Sequence, residues 1–247
     1  MKRAGNHPAR KRPHMKHVTV ATYNICHGHY AGYDWKRIAD LLQEAGADIV
    51  GFQEIDMFTG RTGGLDTVAE LTAATGLPHA LFVPAMDYDG GKYGTAILSR
   101  YPIAESGTLP LPSANYEPRA FGWVTVELED GAPLTLLNTH LSYESHAQQS
   151  IQFTYIADWM GKHLPEDTPA VLTGDFNTDD FTAFTPVTSL GFALVNRTDR
   201  EFKTFRGDPA AIDNIVYREG IMTPEAFGMT DSDASDHNLL WCRFQLN

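Results

Sequence analysis

The stretch "PAVLTGDFNTDD" (residues 169–180) starts with a short apolar run typical of a buried strand and then turns polar at Asp175 and Asn177. Asp and Asn are common turn residues that satisfy nearby backbone groups, so a solvated loop would explain both. Several other apolar runs of this chain also end in an acid, an amide or a histidine. These polar strand ends are therefore candidates for one common site.

An internal repeat links this stretch to the N-terminal half of the chain. "TYNICHG", a predicted helix and "IVGFQE" are echoed by "LLNTHLS", a second predicted helix and "VLTGDFN". Each unit has an amide and a histidine at the end of its first strand and an acid at the end of its second. A chance match is one explanation. The other is a pair of packed αβ layers whose polar strand ends meet at one edge, where open αβ sheets bind ligands.

The remaining periodicity predicts the other elements. β-branched residues at 17–25 and the run at 47–54 predict strands, and the helix between them has Asp34 as a candidate N-cap and Gly46 at its end. Further helices are predicted at "LDTVAELTAATG" and "HAQQSIQFTYIADWMGKHL". Further strands are predicted at "YGTAILS", "FGWVTVELE", "PLTLLNTHL", "AVLTGDF", "AIDNIVY" and "HNLLWCRFQL".

Composition predicts one ordinary globular domain. The chain has 247 residues, of which 43% are hydrophobic, and no segment resembles a low-complexity linker. No apolar stretch approaches the roughly 18–20 residues needed to cross a bilayer, and the basic N-terminus lacks the apolar region of a secretory signal. We expect a flexible basic extension at residues 1–16, a single domain at 17–247, no stable membrane insertion and a cytoplasmic location.

The charge is unevenly distributed. Residues 1–17 contain six Lys or Arg and no acid. The rest of the chain has 13 basic residues against 31 acidic ones, so its charge is −18, whereas the whole chain has a net charge of −12. Nonspecific nucleic-acid binding depends on Lys and Arg, so this balance disfavours it, although the basic segment could serve as a nucleic-acid tether. Cys26 and Cys242 form no CxxC pair, which excludes a thiolate zinc cluster and a disulfide framework.

Carboxylates, amides and imidazoles are concentrated at the predicted strand ends. These residues are Asn24, His27, Gln53, Glu54, Asn138, His140, Asp175, Asn177, Asp213, Asp236 and His237. Oxygen ligands without a reactive Ser or Cys motif indicate a hard divalent cation, and Mg²⁺ fits best because zinc would want more His or Cys. The imidazoles are then available to move protons.

A family resemblance rests on seven motifs. "TYNICHG", "GFQEID", "GKYGTAILSR", "NTHLS", "TGDFN", "AIDNIVY" and "SDH" occur in the order and at roughly the spacing of the endonuclease/exonuclease/phosphatase superfamily, whose members look like pancreatic deoxyribonuclease. "GGKYGTAILSRYP" and "EPRA" further resemble its compact bacterial members, which are metal-dependent hydrolases. The resemblance covers about Val18 to the C-terminus. It implies a four-layer α/β/β/α sandwich of two packed mixed sheets and a single catalytic domain. We separately expect a monomer.

The resemblance also implies a metal centre and a general base. Glu54 would bind the metal directly, with Asn24 close by and Asp236 reaching it directly or through water. Mg²⁺ would be the cofactor, with Mn²⁺ as a substitute. His237 would be the general base for the attacking water, held in its tautomer by the carboxylate of Asp213.

The same resemblance assigns the phosphate-binding side. Asp175 would orient the water or deprotonate it, and Asn177 would bind the phosphate. His140 would stabilise the developing charge or protonate the leaving oxygen, and Arg119 would bind a nonbridging oxygen. Such a site suits phosphoryl transfer, which asks a protein mostly for in-line positioning and charge neutralisation.

Departures from the family pattern affect the substrate more than the reaction. Many relatives have Arg-Ile-Asp-Tyr where this chain has Ala211, Ile212, Asp213 and Asn214, and Thr95 replaces a frequent Asn. The leading prediction is a metal-dependent phosphoesterase acting on a phosphodiester or phosphomonoester, with a small molecule or lipid headgroup favoured. An endonuclease or exonuclease acting on DNA or RNA is the alternative, and a catalytically inactive binding module is the third hypothesis.

Overall fold

The computed structural model describes residues 16–199 and 201–247. The extension predicted at residues 1–16 lies outside this part except for Lys16, where the first strand begins. Twelve strands occur in the described part, and they are β1 Lys16–Asn24, β2 Ile49–Met57, β3 His79–Tyr88, β4 Gly91–Ser99, β5 Ile103–Leu111, β6 Arg119–Glu127, β7 Pro133–His140, β8 Ala170–Asp175, β9 Phe192–Leu194, β10 Asp213–Arg218, β11 Met222–Thr230 and β12 Leu239–Leu246. The α-helices there are α1 Trp35–Ala45, α2 Thr67–Thr75, α3 His146–His163 and α4 Thr185–Thr188.

The strands form two six-stranded mixed sheets. The first has the order β11-β12-β1-β2-β4-β3 and the second the order β5-β6-β7-β8-β10-β9. Within each sheet one neighbouring pair is parallel, β1 with β2 and β7 with β8, and the crossovers contain α1 and α3. The repeat predicted from the sequence therefore corresponds to two βαβ units, one in each sheet.

The two sheets pack face to face with helices outside them. Val20 and Ile49 of the first sheet share an apolar core with Val124 and Leu136 of the second. Residues of α1 and α2 pack with the other face of the first sheet, and α3 and α4 pack on the other face of the second. The predicted four-layer α/β/β/α sandwich is confirmed.

Local signals place the first helix as predicted. The side chain of Asp34 accepts a hydrogen bond from the Lys36 amide, 3.1 Å away, which satisfies one of the free donors at the helix start. Gly46 ends the helix with a φ of 65°, a left-handed conformation that glycine adopts without steric cost. The helices of the described part include none that is both long and apolar enough to span a bilayer.

The two sheets approach each other closely at Gly51. Gly51 on β2 leaves room for Thr173 and Asn138 of the opposite sheet, which a Cβ at this position would overlap. The Asn138 side chain donates to the backbone oxygens of Phe52 and Ala96, at 2.8 and 3.0 Å. Asn138 therefore ties β7 to β2 and β4, and its amide is part of the sheet interface rather than of a ligand site.

Candidate active site

The site forms where the parallel strands of both sheets end. Asn24 is the last residue of β1, His140 ends β7 and Asp175 ends β8. His140 and Asp175 are also directly paired in the parallel register of the second sheet. Because the two sheets are stacked with these ends on the same side, side chains from both meet in one place, as the repeat predicts.

A bulge in β2 directs Glu54 into this place. The pairing of β2 with β4 shifts between Phe52 and Ile55, so that Gln53 and Glu54 together face Thr95. Glu54 has a φ of 59°, in the left-handed region. Such a bulge redirects side chains, and here Gln53 is fully buried while the Glu54 side chain stays 24% exposed.

Asn24 bridges the carboxylates of the two sheets. Its Nδ2 donates to Glu54 Oε1 at 3.1 Å and to Asp175 Oδ2 at 3.0 Å. Its Oδ1 accepts from the Cys26 amide at 3.0 Å and keeps a second lone pair. The hydroxyl of Ser235, which the sequence reading did not single out, donates to the Asn24 backbone oxygen at 2.7 Å and lies 3.2 Å from Asp236 Oδ1. Ser235 thus places Asp236 beside the end of β1.

His237 and Asp213 form a buried pair. His237 Nδ1 lies 2.8 Å from Asp213 Oδ2, so the carboxylate accepts the Nδ1 proton and Nε2 points toward the site. The ring also packs against Phe205, with centroids 5.1 Å apart. Burial opposes the charged form of His237, but the Asp213 carboxylate outweighs it and raises the pKa of the imidazole. The predicted dyad geometry is present.

Asp175 lies between the two imidazoles. It accepts from Asn24 Nδ2 and from the Asn177 amide at 2.9 Å, and its Oδ2 is 3.5 Å from His140 Nε2 and 3.6 Å from His237 Nε2. Burial raises the pKa of Asp175, and the nearby Asp213 carboxylate raises it further. Negative charge is therefore concentrated in a buried position, which a cation or a proton would relieve.

Arg119 and His140 have buried side-chain nitrogens without a hydrogen-bond partner among the described residues. Arg119 is 3% exposed and pairs with Glu117 at 3.2 Å through Nη2, whereas its Nε and Nη1 have no hydrogen-bond partner among the described residues. His140 Nδ1 is likewise buried without a partner there. Burial and the charge of Arg119 hold the pKa of His140 well below its usual value. Arg119 and His140 line one small cavity with Tyr93 and Thr95.

Asn177 is held by the loop that follows β8. Its φ is 52°, its Nδ2 donates to the Leu141 oxygen at 2.9 Å, and its own backbone oxygen accepts from Gln149 of α3 at 2.7 Å. An amide nitrogen carries two hydrogens, so one remains for a ligand. The structure thus gathers Asn177 with the other predicted residues.

Some polar residues near the site have structural partners instead. Gln53 donates to Asn138 at 2.7 Å inside the sheet interface. Arg61 makes two hydrogen bonds to the buried Asp56, at 2.6 and 2.8 Å, and lies over the Tyr88 ring. The side chains of Gln53 and Arg61 therefore stabilise the structure around the site and form no hydrogen bond with Glu54 or Asp175.

The charge state of Glu54 suits a cation. Burial opposes ionisation, but His27, His140 and Asn24 outweigh it and lower the pKa of Glu54 to about 2. The same surroundings act on Cys26, where burial and the carboxylates of Glu54 and Asp236 raise the pKa of the thiol to about 12. An ionised, partly exposed carboxylate is the type of ligand that a hard divalent cation prefers. A second set of three, Asp175, Asp213 and His237, has ligand atoms within 4.8 Å of one another.

Comparison with known proteins gives one family and many similar folds. The model of the Endonuclease/Exonuclease/phosphatase family matches residues 21–237. An endonuclease/exonuclease/phosphatase from Beutenbergia cavernae is 23% identical with a TM-score of 0.78, and the match covers 94% of this chain and 72% of the other. A mannosyl-6-phosphatase from Bacteroides thetaiotaomicron is 19% identical with a TM-score of 0.67, covering 92% and 99%. The human Nocturnin catalytic domain, solved with a bound sulfate anion, is 19% identical with a TM-score of 0.73, covering 94% and 95%. No curated protein matches the chain.

Proposed function

This chain belongs to the endonuclease/exonuclease/phosphatase family, whose members are hydrolases acting on phosphoesters, and we propose that it is a divalent-metal-dependent phosphoesterase. In this proposal a water molecule attacks a phosphodiester or phosphomonoester in line, activated by the pair of His237 and Asp213. The observation that supports it most is the junction at Asn24, whose amide joins Glu54 of one sheet to Asp175 of the other. This junction brings a candidate metal ligand next to the acid–base residues.

Glu54 and Asp236, with Asn24 beside them, would hold the cation. Mg²⁺ is the proposed cofactor and Mn²⁺ its substitute, because carboxylate and amide oxygens suit hard cations. When bound, such an ion neutralises charge on the phosphate oxygens and orients them. The Asn24 amide reaches both Glu54 and Asp175, so its role is to set the distance between the metal ligands and the acid–base residues.

His237 is the proposed general base. Asp213 holds Nδ1, so Nε2 is the atom that would take the proton of the attacking water. The carboxylates around the ring raise its pKa, whereas base catalysis needs the neutral ring. Positive charge bound at the neighbouring acids would offset this effect and lower the pKa again. Asp175, 3.6 Å from Nε2, would orient the water.

Arg119, His140 and Asn177 are the proposed phosphate-binding residues. The buried Nε and Nη1 of Arg119 lack partners among the residues described, and leaving buried donors unpaired costs about 1–3 kcal/mol each. A phosphate oxygen would satisfy them. His140, whose lowered pKa keeps the ring neutral, would donate to a nonbridging or leaving oxygen. Asn177 would add its remaining amide hydrogen.

A small phosphoester or a lipid headgroup is the proposed substrate class. The balance of −18 outside residues 1–17 offers little general attraction for nucleic acid. The similar fold named mannosyl-6-phosphatase is in keeping with a small substrate. A DNA or RNA nuclease is the second candidate, because the basic segment at residues 1–17 could supply phosphate contacts. An inactive binding module of the same fold is the third.

A metal-supplemented activity panel tests the proposal. We expect hydrolysis of bis-nitrophenyl phosphate, nitrophenyl phosphate, sphingomyelin or inositol phospholipids with Mg²⁺ or Mn²⁺, and loss of turnover after chelation. Plasmid DNA and short RNA in the same panel test the nuclease candidate. Full turnover in chelator-treated protein would refute metal dependence, and turnover of none of these esters would favour the inactive module.

The organisation of the chain is proposed on the same basis. We propose a monomer with its catalytic domain at residues 17–247 and a cytoplasmic location. Sedimentation of the purified chain tests the first point, activity of a variant that begins at residue 17 tests the second, and cell fractionation tests the third. A dimer, an inactive truncated variant or a secreted product would contradict them in turn.

A further inference from the structure

Three side chains of different chemistry surround one point at the ends of β1 and β2. Cys26 Sγ, a ring nitrogen of His27 and a carboxylate oxygen of Glu54 lie within 4.8 Å of one another. His27 Nδ1 is 3.7 Å from Glu54 Oε2. In a tetrahedral zinc site with ligand bonds of about 2.0–2.3 Å, neighbouring ligand atoms are roughly 3.3–3.8 Å apart. Small side-chain movements would therefore bring all three onto one ion.

The backbone holds these residues in an uncommon conformation. Cys26, His27 and Glu54 have φ values of 43°, 45° and 59°. Left-handed backbone is sterically unfavourable for a residue with a side chain, so the surrounding structure must enforce it. The Cys26 amide is fixed by Asn24 Oδ1, and the Glu54 backbone is fixed by the bulge in β2. This strain directs three potential ligands to a common point.

The His27 ligand atom is available for binding. His27 Nδ1 is buried, and nothing in residues 16–199 or 201–247 forms a hydrogen bond with it. The side chains of His27 and Glu54 are nevertheless 17% and 24% exposed, so an ion has access from solvent. Two cysteines in the whole chain exclude a thiolate cluster, but zinc also accepts mixed sets of thiolate, imidazole and carboxylate.

We propose that Cys26, His27 and Glu54 form a binding site for zinc-class ions that shares Glu54 with the proposed magnesium position. Thiolate and imidazole ligands select borderline-soft ions, whereas Mg²⁺ keeps to oxygen ligands. On coordination the Cys26 thiol releases its proton to solvent and its sulfur bonds to the ion, as in other zinc–thiolate sites. Water completes the coordination. Zn²⁺ and Mg²⁺ then exclude each other, because both need the same carboxylate.

Cobalt provides a spectroscopic test of the thiolate ligand. Co²⁺ titrated into the full-length, chelator-treated protein should give a near-ultraviolet thiolate-to-cobalt charge-transfer band, and Zn²⁺ should abolish it by displacement. Cys26→Ser should lack the band and bind Zn²⁺ at least about tenfold more weakly by competition with a chromogenic chelator. Cys242→Ala, which removes the sulfur buried between the sheets, is the matched control and should keep both properties.

A second variant separates a ligand from a bystander. His27→Gln should keep the charge-transfer band, because the sulfur remains, but weaken Zn²⁺ binding. Thermal melts of each variant show whether it is folded. A wild-type protein without the band, or equal Zn²⁺ affinity in Cys26→Ser and wild type, would overturn the proposal.

The exclusion of Mg²⁺ rests on the proposed function, whereas the binding of zinc does not. If Zn²⁺ inhibits turnover, excess Mg²⁺ should relieve the inhibition. A cobalt band without hydrolysis of any ester would leave the zinc site standing and refute the phosphoesterase. Mg²⁺-dependent hydrolysis without the band would do the reverse.

Discussion

Asp175→Asn tests whether the polar end of β8 carries out chemistry or only forms a turn. The substitution keeps the size of the side chain. The oxygen of the new amide can still accept from the Asn177 backbone amide, which lies 2.9 Å from the carboxylate in the wild-type protein. The nitrogen of the new amide would face Asn24 Nδ2, which donates to the wild-type carboxylate at 3.0 Å, so two donors would oppose each other. The negative charge next to the imidazoles of His140 and His237 would also be lost.

The expected loss follows from these contacts. A hydrogen bond to a charged group contributes about 1.5–3 kcal/mol to stability, so its loss would shift the substituted side chain from its position. The positioning of an acid–base group contributes a further factor, since general acid–base catalysis typically supplies about 10²–10⁴-fold. We therefore expect turnover of Asp175→Asn to fall by at least about a hundredfold.

Steady-state kinetics with Mg²⁺ on the best ester of the panel, together with thermal melts, measure this effect. Asp180→Asn is the matched control, because Asp180 is an exposed acid five residues further along the same stretch. Its side chain caps the short helix at Phe181–Phe184, a role that Asn fills equally well. Near-normal turnover of a folded Asp175→Asn would mean that the buried Asp175 carboxylate has only a structural role and that another group orients the water.

Other substitutions and conditions test the remaining parts of the site. Asn138→Ala should lower the free energy of unfolding by about 1–3 kcal/mol, because it removes two buried hydrogen bonds to backbone oxygens of the opposite sheet, and an unchanged urea midpoint would contradict this. Asp213→Asn and His237→Ala should each reduce turnover by about 10²–10⁴-fold, and their combination should cost far less than the product; full additivity would contradict a working pair. Glu54→Gln should raise the Mg²⁺ concentration needed for half-maximal turnover, whereas an unchanged requirement would place the ion at Asp175, Asp213 and His237. Raising salt from about 50 to 200 mM should change turnover of a small ester only a few-fold, while a loss of orders of magnitude in affinity on DNA would favour a nuclease.

The interior strands were predictable because their patterns follow from burial. The strands beginning at Lys16, Ile49, Pro133 and Ala170 form the parallel pairs at the centres of the sheets, and their apolar runs are unambiguous. Four strands were not predicted, namely β3, β5, β9 and β11, and all four are edge strands. Edge strands have one free side, so they tolerate proline and polar residues, as at Pro84, Pro110 and Pro224.

Candidate residues for the site could be proposed from the sequence, but their geometry could not be predicted. An apolar run that ends in a polar residue indicates the end of a strand, and the order of the motifs indicated which strand ends lie together. The bulge at Glu54 depends on pairing with β4, and the contact of Ser235 with Asn24 joins residues 211 positions apart. Neither has a signature in a local pattern. The different roles of Asn24 and Asn138 likewise follow from which strands lie opposite them.

The close contact at Gly51 and Asn138 has a consequence for how such an enzyme could diversify. Glu54 belongs to one sheet and Asp175 to the other, so any sliding of the sheets would change the distance between the proposed metal ligand and the proposed acid–base group. The Asn138 amide opposes such sliding, since it donates hydrogen bonds to two strands of the opposite sheet at once. New substrate preferences would then arise by exchange of the loops around the site, while the distance between Glu54 and Asp175 stays the same.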